Sequence, residues 1–163
     1  MTDTFDVIVL GGGAVGAACA RELAGSGRRV LVIDRGTEQG EAWRAAAGML
    51  APQIENAPGD PLFRLGLAAR QHLIALAGEL PGSTGIDVGL WQGGIGRLAM
   101  DQAERDALRA NVAWQREQGR RCEWLEPEEV KTRWPFAGPG CGALWAPDDA
   151  ALDPVALVAA LRA

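Results

Sequence analysis

Residues 5–34 read FDVIVLGGGAVGAACARELAGSGRRVLVID, and this stretch decides the fold. Residues 5–10 form a short β-branched and apolar run, which suits a strand buried on both faces of a parallel sheet. The run passes directly into Gly11-Gly12-Gly13-Ala14-Val15-Gly16, a G-x-G-x-x-G pattern, and then into a small-residue helical segment. On that helix Ala17, Ala20 and Leu23 make a narrow face able to press against a sheet. Gly25-Ser26-Gly27 ends it. Residues 29–34 form a second strand closed by Asp34, completing a β-α-β unit of about 30 residues.

Dinucleotide binding accounts for this layout. Gly11 permits the tight turn out of the strand. Gly13 lacks the Cβ that would hold a pyrophosphate away from the backbone, and Gly16 lets helix and strand pack closely. The helix N-terminus offers unpaired N–H groups and the positive end of its dipole to phosphate. Asp34 is placed to accept hydrogen bonds from both ribose hydroxyls, which disfavours a 2′-phosphate and so favours FAD or NAD over NADP.

The composition narrows the class. The chain has 163 residues, 16 basic and 21 acidic, with a net charge of −5. No Lys/Arg stripe marks a nucleic-acid groove or an anionic membrane surface, and no apolar run is long enough to span a bilayer. The first residues carry acids and no basic segment, unlike a secretory signal. Cys19, Cys122 and Cys141 are widely spaced with no CxxC pair. That argues against a disulfide framework or a metal site and fits a reducing cytoplasm. The 22 glycines are roughly double average usage.

After the first unit, residues 35–55 are rich in Ala and Gly where a plain nicotinamide-binding domain would continue with another helix and strand. Small side chains there let main-chain N–H groups reach a large flat ligand. Asp60-Pro61 starts a helix, and Leu62, Leu65, Ala69, Leu73, Leu76 and Leu80 fall on one face of it. His72, the only histidine, has no acid at triad spacing and reads as a non-catalytic residue. Residues 87–91 and 94–100 read as strands about a glycine turn. Asp101 and Glu104 open a polar helix running toward Gly119. Residues 122–125 read as a strand, and Pro127 opens a helix with Glu126, Glu128 and Glu129 at its start, where the dipole favours acids. Residues 142–146 make a further strand, Asp148-Asp149 a turn, and Asp153-Pro154 start a last helix. This order predicts an α/β fold: a Rossmann-like β-α-β unit followed by the start of a partly antiparallel α+β domain.

GGGAVG, the strand ending in Asp34-Arg35, and above all AAAGMLAP (45–52) together resemble the FAD-dependent amine and amino-acid oxidases of the D-amino-acid oxidase superfamily. The likeness is greatest to the glycine-oxidase branch, which serves thiamine biosynthesis. It continues through IDVGLWQGGIGRLAMD, WLEPEEVKTRWP and GALWAPDDAALDP. The resemblance implies FAD as cofactor, with a small amino acid or secondary amine and oxygen as reactants. Cα hydride would pass to flavin N5, the imine would hydrolyse, and oxygen would be reduced to peroxide. It also implies roles: Ala14 and Val15 at the pyrophosphate, Asp34 and Arg35 at the adenosine ribose, and Ala42 and Trp43 beside the phosphate or ribityl chain. Ala47, Gly48 and Met49 would run along the isoalloxazine ring. Family members often carry hydroxyl side chains near 42 and 43, and this chain has none there. No side chain need act as a general base, so no catalytic residue is named. Arg97 and Arg133 read as surface arginines.

The family's chains continue well beyond position 163, so this chain is expected to be the N-terminal part of a larger, incomplete oxidase. Residues 1–80 would start the FAD domain, 81–150 the substrate domain, and 151–163 would lead back. Many relatives self-associate, which makes a homo-oligomer an expectation of the resemblance. Sarcosine oxidase, D-amino-acid dehydrogenase, a nicotinamide-linked dehydrogenase and an inactive FAD-binding fragment stand as alternatives.

Overall fold

The computed structural model describes residues 3–36 and 40–163; positions 37–39, inside the small-residue stretch, lie outside the described residues. The chain forms two compact units. One draws on Met1–Gly48, Ala75–Leu90 and Leu152–Ala163, the other on Met49–Ile74 and Trp91–Ala151. The units are interleaved in sequence and do not follow the ranges 1–80, 81–150 and 151–163. The reason is that one long helix is divided between them and the last helix belongs with the first unit.

In the first unit β1 (Val7–Leu10) and β2 (Val30–Ile33) pair in parallel, Val7 opposite Val30 and Leu10 opposite Ile33. Helix α1 (Ala14–Gly25) joins them and buries Ala17 and Ala20. Gly27, with φ +83°, makes the turn that follows. The expectation of strands buried on both faces needs correction. Helix α1 lies on the Val9 side, whereas Ile8 is 56% and Leu10 79% exposed. A parallel sheet is normally covered on both faces, and the described residues cover only one here. Helix α7 (Pro154–Arg162) packs on α1, its N-terminus capped by Asp153, whose Oδ1 accepts from the Val155 N–H at 2.7 Å. The four-residue helix α2 (Ala42–Ala45) packs on α7.

The second unit is built on an antiparallel sheet in which β6 (Ala143–Ala146) runs between β4 (Ile95–Leu98) and β5 (Glu123–Leu125). Helix α5 (Gln102–Glu117) starts at Asp101, which accepts from Glu104 N–H at 2.8 Å, and α6 (Pro127–Arg133) starts behind Glu126. Two short strands, β3 (Met49–Leu50) and β7 (Ala150–Ala151), pair antiparallel, and the one-turn helix α3 (Pro52–Glu55) follows β3.

Two further expectations are corrected. Residues 87–91 are not a strand; only Trp91 bridges, to Ala151. Gly85 and Gly89 both have positive φ, and the Asp87 carboxylate takes the Gly89 N–H at 2.9 Å, so the segment turns instead of extending. Helix α4 spans Leu62–Thr84, beyond Leu80; Leu76 and Leu80 are buried as expected, but in its first half the inward face is rotated from the expected stripe. Leu62 and Leu65 are exposed, while Phe63, Leu67 and Arg70 are buried in the second unit and Leu76, Ala77 and Leu80 in the first. Gly66 explains the rotation: a Cβ there would stand 2.8 Å from that of Pro52, so the helix approaches α3 on its glycine side.

Arg70 faces inward because it has buried partners. Its Nη1 donates to Gln53 Oε1 at 2.8 Å and forms an ion pair with Asp149. Gln53 donates in turn to Gln115 Oε1 at 3.0 Å and to Arg121 O at 2.8 Å, and Gln115 donates to Gln53 O at 2.7 Å. A buried polar group is costly unless paired, and each member of this network is paired. Burial pushes the Asp149 carboxyl up to about 6, against the lowering pull of Arg70.

Replacing Arg70 with Met strands a buried carboxylate and is expected to cost about 3–5 kcal/mol in urea unfolding at neutral pH. Because the folded-state value of Asp149 lies above the ordinary one, its contribution is full below that ordinary value and fades as pH rises through about 6. The destabilisation by R70M should therefore be larger at pH 7 than at pH 5. Equal losses at both would show that Asp149 does not titrate in this window.

Candidate functional site

The glycine turn between β1 and α1 is held by specific contacts. Gly11 has φ +96°, a left-handed conformation open to glycine, and its N–H donates to Ile33 O at 2.8 Å. Gly16 is needed for a different reason: a Cβ at 16 would stand 1.8 Å from the Gly11 carbonyl oxygen. The turn and the helix start can approach this closely only without that atom. Gly13 is the N-cap of α1 and no side chain caps the helix, so the donors of its first turn, including those of Ala14 and Val15, are not taken by a capping group. Val15 is 80% exposed.

Asp34 closes the turn from the end of β2. Its Oδ2 accepts the Gly12 N–H at 2.6 Å and its Oδ1 accepts the Gly36 N–H at 2.9 Å. These backbone donors, Gly12 first, hold the exposed carboxyl below the ordinary carboxylate range. Each oxygen keeps a second lone pair, so the carboxylate can still accept from two sugar hydroxyls. Arg35 follows on the surface beside it.

Trp43, in α2, lies against this turn. Its Cδ1 would be 3.6 Å from a Cβ on Gly13, and its Nε1 donates to the Glu41 carboxylate. Ala42 is exposed and offers no polar side chain. Ala47 is exposed, and Gly48, with φ +72°, accepts from the Leu152 N–H at 3.0 Å. A Cβ at 48 would stand 1.9 Å from Leu152 O. The first unit thus brings Gly11, Gly13 and Gly16 together with Asp34 and Trp43, and holds Gly48 separately against residue 152. Met49 opens the second unit and is 45% exposed.

Three residues at the turn had no sequence signal. Gly12 occupies the variable position of the motif, yet both its amide and its carbonyl are engaged. Arg162 reaches that carbonyl from 150 positions away. Glu41 is tied to Trp43 and lies 3.8 Å from Arg162.

A cavity of about 420 Å³ lies wholly within the second unit. Met49, Trp91, Trp134, Phe136 and Trp145 line it. Glycines seat the indoles: a Cβ on Gly93 would fall 2.1 Å from Trp91, one on Gly94 2.3 Å from Trp145, and one on Gly96 2.3 Å from Trp134. The Trp134 and Trp145 rings meet at 5.5 Å with a 59° tilt. Among the described residues no helix is long and apolar enough to cross a membrane, and no group of three His, Cys, Asp or Glu could hold a metal ion. The three cysteines are unpaired, and burial raises the Cys122 thiol to about 11, which leaves it unreactive.

Residues 6–163 match the profile of the DAO family, described as FAD dependent oxidoreductase. The chain is 39% identical over 163 residues to a glycine oxidase of Geobacillus kaustophilus, covering 99% of this chain and 43% of that protein. It is 34% identical over 165 residues to a bifunctional protein ThiO/ThiG of Synechocystis, covering 99% of this chain and 23% of that protein. The crystal structure of the Geobacillus kaustophilus glycine oxidase superposes with a TM-score of 0.93 at 38% identity, over 99% of this chain and 44% of that one. Iminodiacetate oxidase from Chelativorans superposes with a TM-score of 0.80 at 25% identity, over 96% of this chain and 43% of that one. The chain thus spans less than half the length of these relatives.

Gly16→Ala is expected to destabilise the first unit by about 1–3 kcal/mol, because the new methyl meets main chain and not a movable side chain. Chemical denaturation of the variant checks this; an unchanged midpoint would mean that the turn relaxes freely. For Asp34 the folded-state value lies below the ordinary one, so its contribution is present above the ordinary range and lost as pH falls through the folded value. Stability curves of the wild type and Asp34→Asn should differ at neutral pH and converge on acidification. Curves that stay parallel would contradict the Gly12 bond.

Proposed function

The chain belongs to the DAO family of FAD-dependent oxidoreductases, and on that premise we propose that it supplies the FAD-binding part of an enzyme oxidising glycine or a similarly small amine. The observation that carries the reading is the bare glycine turn, with Asp34 bonded across it and the uncapped start of α1 behind it. The turn fits a dinucleotide diphosphate. The position that a Cβ on Gly16 would occupy is taken by main chain, and the space that a Cβ on Gly11 would enter is clear of other atoms to 4 Å. FAD is the family's cofactor, which decides against the nicotinamide alternative.

Gly13, Ala14 and Val15 would present N–H groups to the diphosphate, and Asp34 would take the ribose hydroxyls, with Arg35 alongside. Trp43 and Ala42 would border the phosphate or ribityl chain by contact alone, since neither offers a hydroxyl. Ala47, Gly48 and Met49 would flank the flavin ring. When bound, FAD supplies the two-electron acceptor for the amine's Cα–H bond. The protein's part is to position the amine and exclude competing reactions.

The ThiO/ThiG and glycine oxidase relatives support a role for the whole protein in thiamine biosynthesis, with oxygen as electron acceptor. The unpaired thiols support a cytoplasmic location. Self-association of the whole protein is part of the same reading. The exposed Ile8 and Leu10 side of the first sheet supports a protein in which further chain covers that face.

A second substrate reading is favoured by the indole-lined cavity next to Met49. About 420 Å³ far exceeds what glycine fills, and an amine carrying an apolar N-substituent would use it.

The purified whole protein should be yellow and release peroxide with glycine. A panel of glycine, sarcosine, D-alanine and N-benzylglycine, compared by kcat/KM, separates the substrate readings. A rise toward N-benzylglycine selects the cavity; colourless protein that takes up no added FAD sinks both.

A further inference from the structure

We propose that Arg162 is a positioning residue for the diphosphate turn, an inference that rests on the FAD-binding reading above. The Arg162 Nε donates to the Gly12 carbonyl oxygen at 2.6 Å. Gly12 is therefore gripped at both ends, since its own N–H donates to Asp34. These two bonds fix two successive peptide groups. In a trans peptide the C=O and the following N–H point in opposite directions, and no peptide here is cis. Holding the Gly12 carbonyl toward Arg162 directs the Gly13 N–H to the other side, at the N-cap of α1 where a diphosphate would lie. Arg162 thus sets the direction of a phosphate donor without touching the phosphate.

The surroundings keep the guanidinium in place. Its Nη2 is 3.8 Å from Glu41, whose side chain is only 15% exposed. Its Cζ lies 5.6 Å from the centroid of the Trp43 ring, which rests against Gly13 and carries the Arg44 Cζ at 4.5 Å. Charge points the same way. Asp34 and Glu41 are two carboxylates beside a turn that would take a doubly charged anion. Arg162 lies between them and offsets their repulsion. Arginine suits this role because one planar group can serve a carbonyl, a carboxylate and an aromatic face together.

The test compares the wild type, Arg162→Met and Arg162→Lys in the whole protein stripped of flavin. Each is titrated with FAD by flavin fluorescence, and with ADP and adenosine by calorimetry. For Arg162→Met, FAD and ADP affinities should both fall about tenfold or more, the loss of one charge-assisted hydrogen bond. Adenosine, which has base and sugar but no diphosphate, should bind nearly as before. Arg162→Lys keeps the charge without the planar donor and should fall between. It also carries the test if Arg162→Met does not fold. A merely structural role would weaken adenosine in the same proportion and lower the melting temperature with it, which overturns the inference. So does an Arg162 variant that binds FAD and ADP as the wild type does. A wild type that binds neither FAD nor ADP overturns the FAD reading and this inference together.

Discussion

The hydrogen bond from the Gly12 amide to Asp34 organises the first unit. It ties the start of the glycine turn to the end of β2, so that the parallel pairing of β1 with β2 and the entry into α1 are parts of one arrangement. Gly11 can then take a positive φ, Gly16 can sit against the Gly11 carbonyl, and α1 can begin with its donors uncovered. An acid at the end of β2 therefore has a structural task of its own. Its lowered titration is a consequence of the same backbone donors.

The second unit is organised by different physics. Its sheet packs on a core of Leu144, Ala146, Leu108 and Val112, but what aligns α3, α4 and α5 is a buried polar network centred on Gln53. Such a network tolerates little displacement, because an unpaired member in a low-dielectric interior is costly. Glycines 93, 94 and 96 then let indoles lie close against the backbone of β4 and its approach. The same unit thus combines a rigid polar interior with an apolar, aromatic-walled cavity.

Much of this was legible in the chain. The β-α-β unit, the caps at Asp101 and Asp153, and the strands around β4, β5 and β6 rest on local rules of turn chemistry and periodicity. Those rules act within a few residues, and the structure agrees with them. The α4 stripe holds at Leu76 and Leu80 but fails in the first half of the helix, because hydropathy cannot show that Arg70 has a buried carboxylate waiting 79 positions away, or that Gly66 must face Pro52. The strand at 87–91 failed because a side-chain bond from Asp87 and two positive-φ glycines outweighed strand propensity.

The candidate site divides in the same way. The spacing of Gly11, Gly13 and Gly16 and the acid at 34 are dictated by sterics and dipoles of adjacent chain, so the sequence alone determined a tight glycine turn and its two parallel strands. The engagement of Gly12, the placement of Trp43 against Gly13 and the reach of Arg162 were decided only by tertiary structure. They depend on α7 packing on α1, a meeting of segments some 150 residues apart whose side chains carry no local trace of one another.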